Sequence, residues 1–263
     1  MSNKMKKEAK VISQRLLAEG IYDMWLETEM AEDAHPGQFV GVYPAGKTTL
    51  LPRPISICEV DRDRSAIRLV YRVVGQGTAE FALYQPGDYI SILGVLGNGF
   101  PLDKAEGKRV LLMGGGIGVP PLLQTAKELK ELGKAQSVVS VMGYRDDQTF
   151  LREDFEKAAG LVIATEDGSV GTKGNVIDAI KANGLEADVI YACGPMPMLK
   201  VIKAFASENG MKAYVSLEER MACGVGACLG CICKTKEIDE HSQVKNTRIC
   251  TDGPVFDADD LDM

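Results

Sequence analysis

Histidine is scarce in this chain of 263 residues: there are two, His35 and His241. Neither sits in a recognisable catalytic setting, and each reads as a solvated surface imidazole. No apolar run approaches the roughly 18 residues that a membrane-spanning helix requires. Internal repeats and low-complexity linkers are missing as well. Nor is there an excess of positive charge, since 30 Lys and Arg face 37 Asp and Glu for a net charge of −7. A general nucleic-acid surface is therefore not expected, because phosphate binding relies on basic patches. The opening stretch from Met1 to Glu8 is charged and no apolar segment follows it. That is not the pattern of a secretory signal, and a cytoplasmic location is expected.

What is present is an ordinary globular mix, 45% hydrophobic and 25% charged. At roughly 150 residues per domain the length suggests about two domains with room for a small appendage, and it can bury a core without disulfide staples. The cysteines are distributed unevenly. There are seven, and five of them (Cys223, Cys228, Cys231, Cys233 and Cys250) fall in the last forty-one residues. An extracellular disulfide framework is more often even-numbered and spread along the chain. In a reducing compartment clustered thiols point to metal.

Three rhythms divide the chain. Up to about residue 102, short strands (Ala9–Leu17, Ile21–Glu27, Phe39–Tyr43, Arg53–Val60, Ala66–Val74, Tyr89–Leu93) alternate with turns rich in Pro and Gly. This spacing predicts an antiparallel barrel or sandwich, with the barrel favoured because closure removes exposed edges. From about residue 104, strands at Arg109–Gly114, Gln136–Gly143, Leu161–Thr165 and Asp188–Cys193 alternate with helices at Pro120–Leu132, Phe150–Ala159, Asn175–Asn183 and Pro197–Asn209. That alternation predicts a parallel sheet covered on both faces. From about Val215 the chain is rich in Cys and Gly with little periodicity. The expected division is 1–103, 104–214 and 215–263.

The strongest chemical signal is Cys223-x4-Cys228-x2-Cys231, with Cys250 following after eighteen intervening residues. It matches the plant-type spacing for a [2Fe-2S] cluster, whose irons take four thiolate ligands. Gly224, Gly226 and Gly230 lie between the first three; glycine lets a loop close tightly and present backbone N–H groups to sulfur. A structural zinc site is the alternative, although zinc sites usually pair two short knuckles. Cys233 reads as a buried spare thiol, since on a strand it faces away from its neighbour.

A second signal is Gly114-Gly115-Gly116-Ile117-Gly118-Val119-Pro120-Pro121, which joins a strand to a helix. Glycines permit close approach to a pyrophosphate, and a helix N-terminus supplies positive potential. The third glycine of the dinucleotide fingerprint is missing, because Val119 stands there. A plain strand-to-helix turn would read the same way. The turns Glu166-Asp167-Gly168-Ser169 and Cys193-Gly194-Pro195-Met196 add weight, since both fall at carboxyl ends of predicted parallel strands, where ligands bind in open α/β sheets. Cys193 can equally be a packed strand end. In the first stretch Arg53-Pro54-Ile55-Ser56 offers an arginine that can fork onto phosphate and a serine that can meet polar ring edges. Tyr71-Arg72 and Gly75-Gln76-Gly77-Thr78 add an aromatic, a charge and a turn of free N–H groups; exposed arginines and turn glycines are also common without a ligand.

Taken in order, Arg53 to Ser56, Gly75 to Thr78, Gly114 to Gly118 and Cys193 to Pro195 resemble the ferredoxin–NADP reductase superfamily. With the tail from Glu218 to Cys231, essentially the whole chain is similar to the electron-transfer subunits of type B dihydroorotate dehydrogenase. The resemblance implies a β-barrel plus α/β architecture: an FAD-binding antiparallel barrel, an NAD-binding parallel-sheet domain and a small C-terminal [2Fe-2S] domain. By position it assigns Arg53, Pro54, Ile55, Ser56, Val70, Tyr71, Arg72, Gly77 and Thr78 to FAD, and Cys223, Cys228, Cys231 and Cys250 to the cluster. Gly114, Gly115, Gly116, Gly118, Cys193, Gly194 and Pro195 fall to the nicotinamide nucleotide. NADH is the family's cosubstrate, but no acidic residue closes the second strand of the α/β domain and Arg145 follows it, so NADPH stays open. The implied function is an electron relay between NAD(H), FAD and the cluster toward an FMN-containing dihydroorotate dehydrogenase catalytic subunit, in a heterotetramer of two plus two, serving de novo pyrimidine (UMP) synthesis. No acid–base residue of this chain then acts on the pyrimidine. The rival readings are the flavin subunit of an NAD(P)H:ferredoxin or sulfide-type oxidoreductase, and a zinc-stapled nucleotide-binding module.

Overall fold

A computed structural model describes residues 5–46, 50–238 and 243–263; the first four residues and His241 lie outside it. The first part of the chain folds into six strands, β1 (Met5–Ala18), β2 (Ile21–Glu27), β3 (Phe39–Val42), β4 (Arg53–Asp61), β5 (Ala66–Arg72) and β6 (Tyr89–Leu96), with a short helix α1 (Gln76–Phe81) between the last two. The strands close into an antiparallel barrel in the order β1-β2-β5-β4-β3-β6. Period-two side chains fill it: Ala9, Val11, Met24, Leu26, Ile57, Leu69 and Ile92 are all buried in one cluster. The long strand β1 bends at bulges between Val11 and Ser13 and between Leu16 and Ala18, which lets it pair with both β2 and β6 and shut the barrel.

The second part alternates β7 (Arg109–Gly115), α2 (Pro121–Leu132), β8 (Ser137–Tyr144), α3 (Arg152–Ala158), β9 (Gly160–Thr165), β10 (Thr172–Lys173), α4 (Val176–Ala182), β11 (Val189–Cys193), α5 (Met196–Glu208) and β12 (Lys212–Ser216). Beyond it lie a small hairpin, β13 (Ile232–Lys234) with β14 (Asn246–Arg248), and a last strand β15 (Val255–Asp257). The large sheet has the order β10-β9-β8-β7-β11-β12-β15. Its strands are parallel except β15, which pairs antiparallel with β12 at the edge. β7 and β11 are central and buried along nearly their whole length, as continuous apolar runs such as Val110–Met113 and Val189–Cys193 require. Pro120 and Pro121 open α2, where missing N–H groups cost nothing, and Gly133 ends it with φ of 60°. The tail is therefore woven into the sheet: β12 crosses position 214/215, and β15 comes from beyond Cys250.

Barrel and sheet domain are locked together by polar contacts. Arg68 of β5, with a side chain 3% exposed, reaches Asp23 (Oδ1 at 2.8 Å) and Glu59 in the barrel and Asp154 of α3 across the boundary. Lys127 of α2 bonds Glu59, and the Val60 N–H donates to Gln124 of α2 at 2.9 Å. This network fixes how the carboxyl ends of the parallel strands face the barrel wall. Among the described residues no helix is long and apolar enough to cross a membrane.

Candidate functional site

Two clefts open where barrel and sheet domain meet. The first, about 510 Å³, takes its barrel wall from Arg53 to Ser56 on β4, Val70 to Arg72 on β5, and Gly77 and Thr78 on α1. Every barrel residue that the resemblance assigns to FAD thus lines one cavity, because β4 and β5 are neighbours and α1 springs from the end of β5. Thr78 caps this corner: its Oγ1 accepts from the N–H groups of Val74 (2.9 Å) and Gly75 (3.2 Å). The four residues Gly75 to Thr78 start a helix rather than a free turn. Gly77 lets Arg53 approach closely, since a Cβ there would stand 2.7 Å from Nε of Arg53. The guanidinium thus lies against the bare first turn of α1, and cation and backbone N–H groups form a cradle that fits phosphate. Tyr71 contributes less than its ring suggests: it stacks on Tyr22 at 5.9 Å and takes a hydrogen bond from Gln14.

The other wall was not evident from the sequence. Phe39 of β3, Ile117 and Pro121 of the glycine turn, the segment Ser216–Met221 and Pro254 complete the cavity. Residues 218–221 carried a signal as the lead into the cysteine motif, and Ile117 and Pro121 as parts of the glycine turn, though none of them was assigned to this cavity. Glu218 faces Cys193, with 4.0 Å between Oε1 and Sγ. Burial raises the Cys193 thiol well above its usual range, and the Glu218 charge adds to this. The Glu218 carboxyl is itself raised by surrounding protein, with Arg72 opposing.

The second cleft, about 540 Å³, lies at the carboxyl ends of β7, β8 and β9. Gly115, Gly116 and Pro195 face it, together with Arg145, Asp146, Glu166 and Asn175. Arg72 of the barrel lines both clefts. The remaining sequence candidates lie behind this surface. A Cβ on Gly114 would meet Sδ of Met142 at 2.6 Å, and one on Gly118 would meet Cα of Gly194 at 2.6 Å. Cys193 is fully buried. These residues bring the two turns into contact, which is how a strand-to-helix turn and a strand end 75 positions apart share one site. No acid ends β8, but Asp146 lies just past it and Glu166 just past β9, both lining this cleft, and the Glu166 N–H bonds the Tyr144 carbonyl at 3.2 Å.

All seven cysteines, the five of the tail among them, are free thiols. Cys231 and Cys250 are buried, Cys223 is half-buried and Cys228 exposed. The sulfurs meet in pairs, Cys223 with Cys228 and Cys231 with Cys250. Among the described residues no three metal-binding side chains converge on one ion position. Two pairs of thiols match the two irons of a [2Fe-2S] unit, each taking two protein ligands. Backbone N–H groups point at sulfur, Val225 to Cys223 and Gly230 to Cys228, each at 3.4 Å. Burial disfavours the Cys223 thiolate, but the N–H groups of Val225, Cys228 and Ala227 outweigh it and bring the thiol down to about 7. The donor set and the N–H groups fit the cluster. Cys233, on β13, is half-buried rather than fully buried, its thiol pushed up to about 11 by burial and by Cys231. His35 is solvent-exposed, as expected.

Comparison with known proteins decides the family. The family model "Iron-sulfur cluster binding domain of dihydroorotate dehydrogenase B" matches residues 218–262, and "Oxidoreductase NAD-binding domain" matches residues 112–204. The dihydroorotate dehydrogenase B (NAD(+)) electron transfer subunit of Bacillus caldolyticus is 46% identical over 255 residues, covering 95% of this chain and 96% of that protein. The chain belongs to the dihydroorotate dehydrogenase B electron transfer subunits. The subunit from Listeria monocytogenes serotype 4a is likewise 46% identical, over 97% of this chain and 98% of its own length. Among solved structures, an NADH-dependent reduced ferredoxin–NADP oxidoreductase superposes with a TM-score of 0.84 at 30% identity, over 97% of this chain and 89% of that one. A ferredoxin–NADP+ reductase from Neisseria gonorrhoeae shares the fold, with a TM-score of 0.66 at 17% identity over 82% of this chain and 94% of that one. This electron transfer subunit thus combines a flavoreductase-type barrel and sheet domain with a cysteine tail characteristic of its family.

Proposed function

We propose that this subunit relays electrons between NAD(H) and a dihydroorotate dehydrogenase catalytic subunit through FAD and a [2Fe-2S] cluster. Bound in the first cleft, FAD supplies the exchange between two-electron hydride chemistry and one-electron steps, and the cluster carries single electrons. The chain's own residues do the positioning. Arg53, with the first turn of α1 at Gly77 and Thr78, holds phosphate. Pro54, Ile55, Ser56, Val70 and Tyr71 form the wall of the cleft. Gly115, Gly116 and Pro195 present the nicotinamide nucleotide, and Gly114, Gly118, Cys193 and Gly194 hold those turns together. Cys223, Cys228, Cys231 and Cys250 hold the irons. Arg72, on both clefts, marks the side on which the two nucleotides meet. Asp146 and Glu166 suit a ribose hydroxyl and repel a second phosphate beside Arg145, which favours NADH over NADPH.

The observation that carries this reading is the shared cleft: the nine barrel residues assigned to FAD line one cavity with the segment Ser216–Met221, which leads into Cys223. The units follow the same logic: a barrel of about 1–103, a nucleotide domain of about 104–214 and a cluster domain of about 215–263 that lends β15 back to the sheet. The partner would be an FMN-containing catalytic subunit, two of each chain per complex. Its docking face would be the apolar rim beside the ligands, where Val225, Leu229 and Ile232 are exposed. A reducing cytoplasm suits free thiols. The ferredoxin-type rival is supported by the 30% identical solved structure, but the 46% identical relatives outweigh it. Reconstitution with a dihydroorotate dehydrogenase catalytic subunit tests the reading. Dihydroorotate-dependent reduction of NAD+ supports it, and reduction seen only with ferredoxin or sulfide favours the rival.

A further inference from the structure

The proposed relay requires electrons to pass from the flavin cleft to the cysteine loop, and one side chain occupies the boundary between them. Phe39 lines the cleft and is 3% exposed. On one side its cross-strand partner in β4 is Ser56, a cleft residue; on the other its partner in β6 is Leu96. Phe39 and Leu96 belong to a single packed cluster that also contains Leu93, Cys231, Ile249 and Cys250. The far side of this layer is the cysteine loop. A Cβ on Gly224, the residue after Cys223, would stand 3.1 Å from Cδ1 of Leu96.

Gly97 shows how closely the layer is drawn together. A Cβ there would meet Cδ of Pro254 at 2.5 Å, the Gly253 carbonyl at 2.9 Å and Cε1 of Phe39 at 2.9 Å. The same stretch is tied by hydrogen bonds: Asn98 donates its backbone N–H to the Gly253 carbonyl at 2.6 Å and its side-chain amide to the Asp252 carbonyl at 3.0 Å. Leu217 donates to the Pro254 carbonyl at 2.9 Å. Barrel, cleft and cysteine loop are thus stitched at one place, and the nearly buried Phe39 ring packs there beside the cleft.

We infer that Phe39 is the positioning residue for electron transfer between flavin and cluster: its ring keeps the intervening layer filled and holds the Cys250 loop against the barrel. The inference rests on the relay proposed above. A hydride from NADH brings two electrons into the cleft. They leave singly through this layer. The first reduces one of the two ferric ions of the cluster to ferrous. The second follows once the cluster has handed that electron to a one-electron acceptor at the partner side, and the proton is released to solvent. A filled path couples donor and acceptor better than a void, and a void also loses the contacts that hold its walls in place.

Rapid mixing of the anaerobic holoprotein with NADH tests the role, following flavin bleaching and the paramagnetic signal of the reduced cluster separately. Iron content and FAD affinity, measured by fluorescence titration of the deflavinated protein, are recorded for each variant. Relative to its own rate of flavin bleaching, Phe39→Ala reduces its cluster severalfold more slowly than wild type, and Phe39→Leu, which refills most of the space, recovers most of that loss. An equal ratio of cluster reduction to flavin bleaching in all three proteins overturns the inference. Should the alanine variant lack either cofactor, Phe39→Leu against wild type decides: slower cluster reduction upholds the role, and an unchanged rate overturns it. A wild-type flavin that NADH does not bleach contradicts the relay itself, which separates the two failures.

Discussion

Gly118 lies flat against the backbone of Cys193, so close that any β-carbon on Gly118 would overlap the Cys193 carbonyl and approach Cα of Gly194 to 2.6 Å. The obstruction is backbone, and a side-chain rotation cannot relieve it. Gly118→Ala must therefore push the glycine turn and the Cys193–Pro195 turn apart. A displacement of about 1 Å at a positioning element can cost about 100-fold in rate. The variant is expected to keep FAD and iron while its KM for NADH rises steeply, which steady-state reduction of an artificial acceptor will show.

Arg68 and Asp23 form the buried ion pair at the barrel–sheet boundary, with side chains 3% and 0% exposed. Arg68→Ala leaves Asp23 with the exposed Arg15, at 2.8 Å, as its remaining ion-pair partner among the described residues, and removes the links to Glu59 and Asp154. Breaking a buried pair outright costs about 3–5 kcal/mol, and Arg15 holds the loss below that. Replacing both, as Arg68→Met with Asp23→Leu, removes the half-compensated charge and should recover much of the loss. Urea denaturation of the two variants against wild type measures the difference.

Asp188 receives the backbone N–H and the guanidinium of Arg109, binding the starts of β11 and β7. The Arg109 hydrogen bonds hold the Asp188 carboxyl at about 2, below its ordinary 3.8. A depressed carboxylate stabilises the fold above its ordinary titration range, and that contribution fades as pH falls toward about 2. Asp188→Asn is therefore expected to melt slightly below wild type at neutral pH and to match it near pH 2, with the gap narrowed by salt. Thermal melts across this pH range test the sign.

The cysteine assignment separates ligands from bystanders. Cys250→Ser should lose iron and acid-labile sulfide while retaining flavin, because it removes one thiol of the buried Cys231–Cys250 pair. Cys233→Ser should keep both cofactors, its thiol being half-buried on β13. Cluster loss in the second variant and not the first would reverse the assignment.

Much of the architecture was legible because periodicity is local. β2 has the expected limits, Ile21–Glu27, and the alternation after residue 104 gives the observed sheet. The elements that escaped notice are those made by tertiary context. β12 and β15 are five and three residues long and become strands only by extending an existing sheet edge. α1 contains Gly77, a poor helix former, and is held by the Thr78 cap. The site divides the same way. Motif residues such as Arg53 and Cys223 announce their chemistry, whereas Phe39 and Pro254 are ordinary side chains whose importance lies in what folds against them.

The relay itself is tested most directly by mixing anaerobically purified protein with NADH and recording the visible and electron paramagnetic resonance spectra together. Bleaching of the flavin bands followed by the signal of a reduced [2Fe-2S] cluster, with iron and sulfide near two each per chain, is the result predicted. A protein that carries zinc in place of iron, or whose flavin is reduced while an intact cluster never takes an electron, would contradict it.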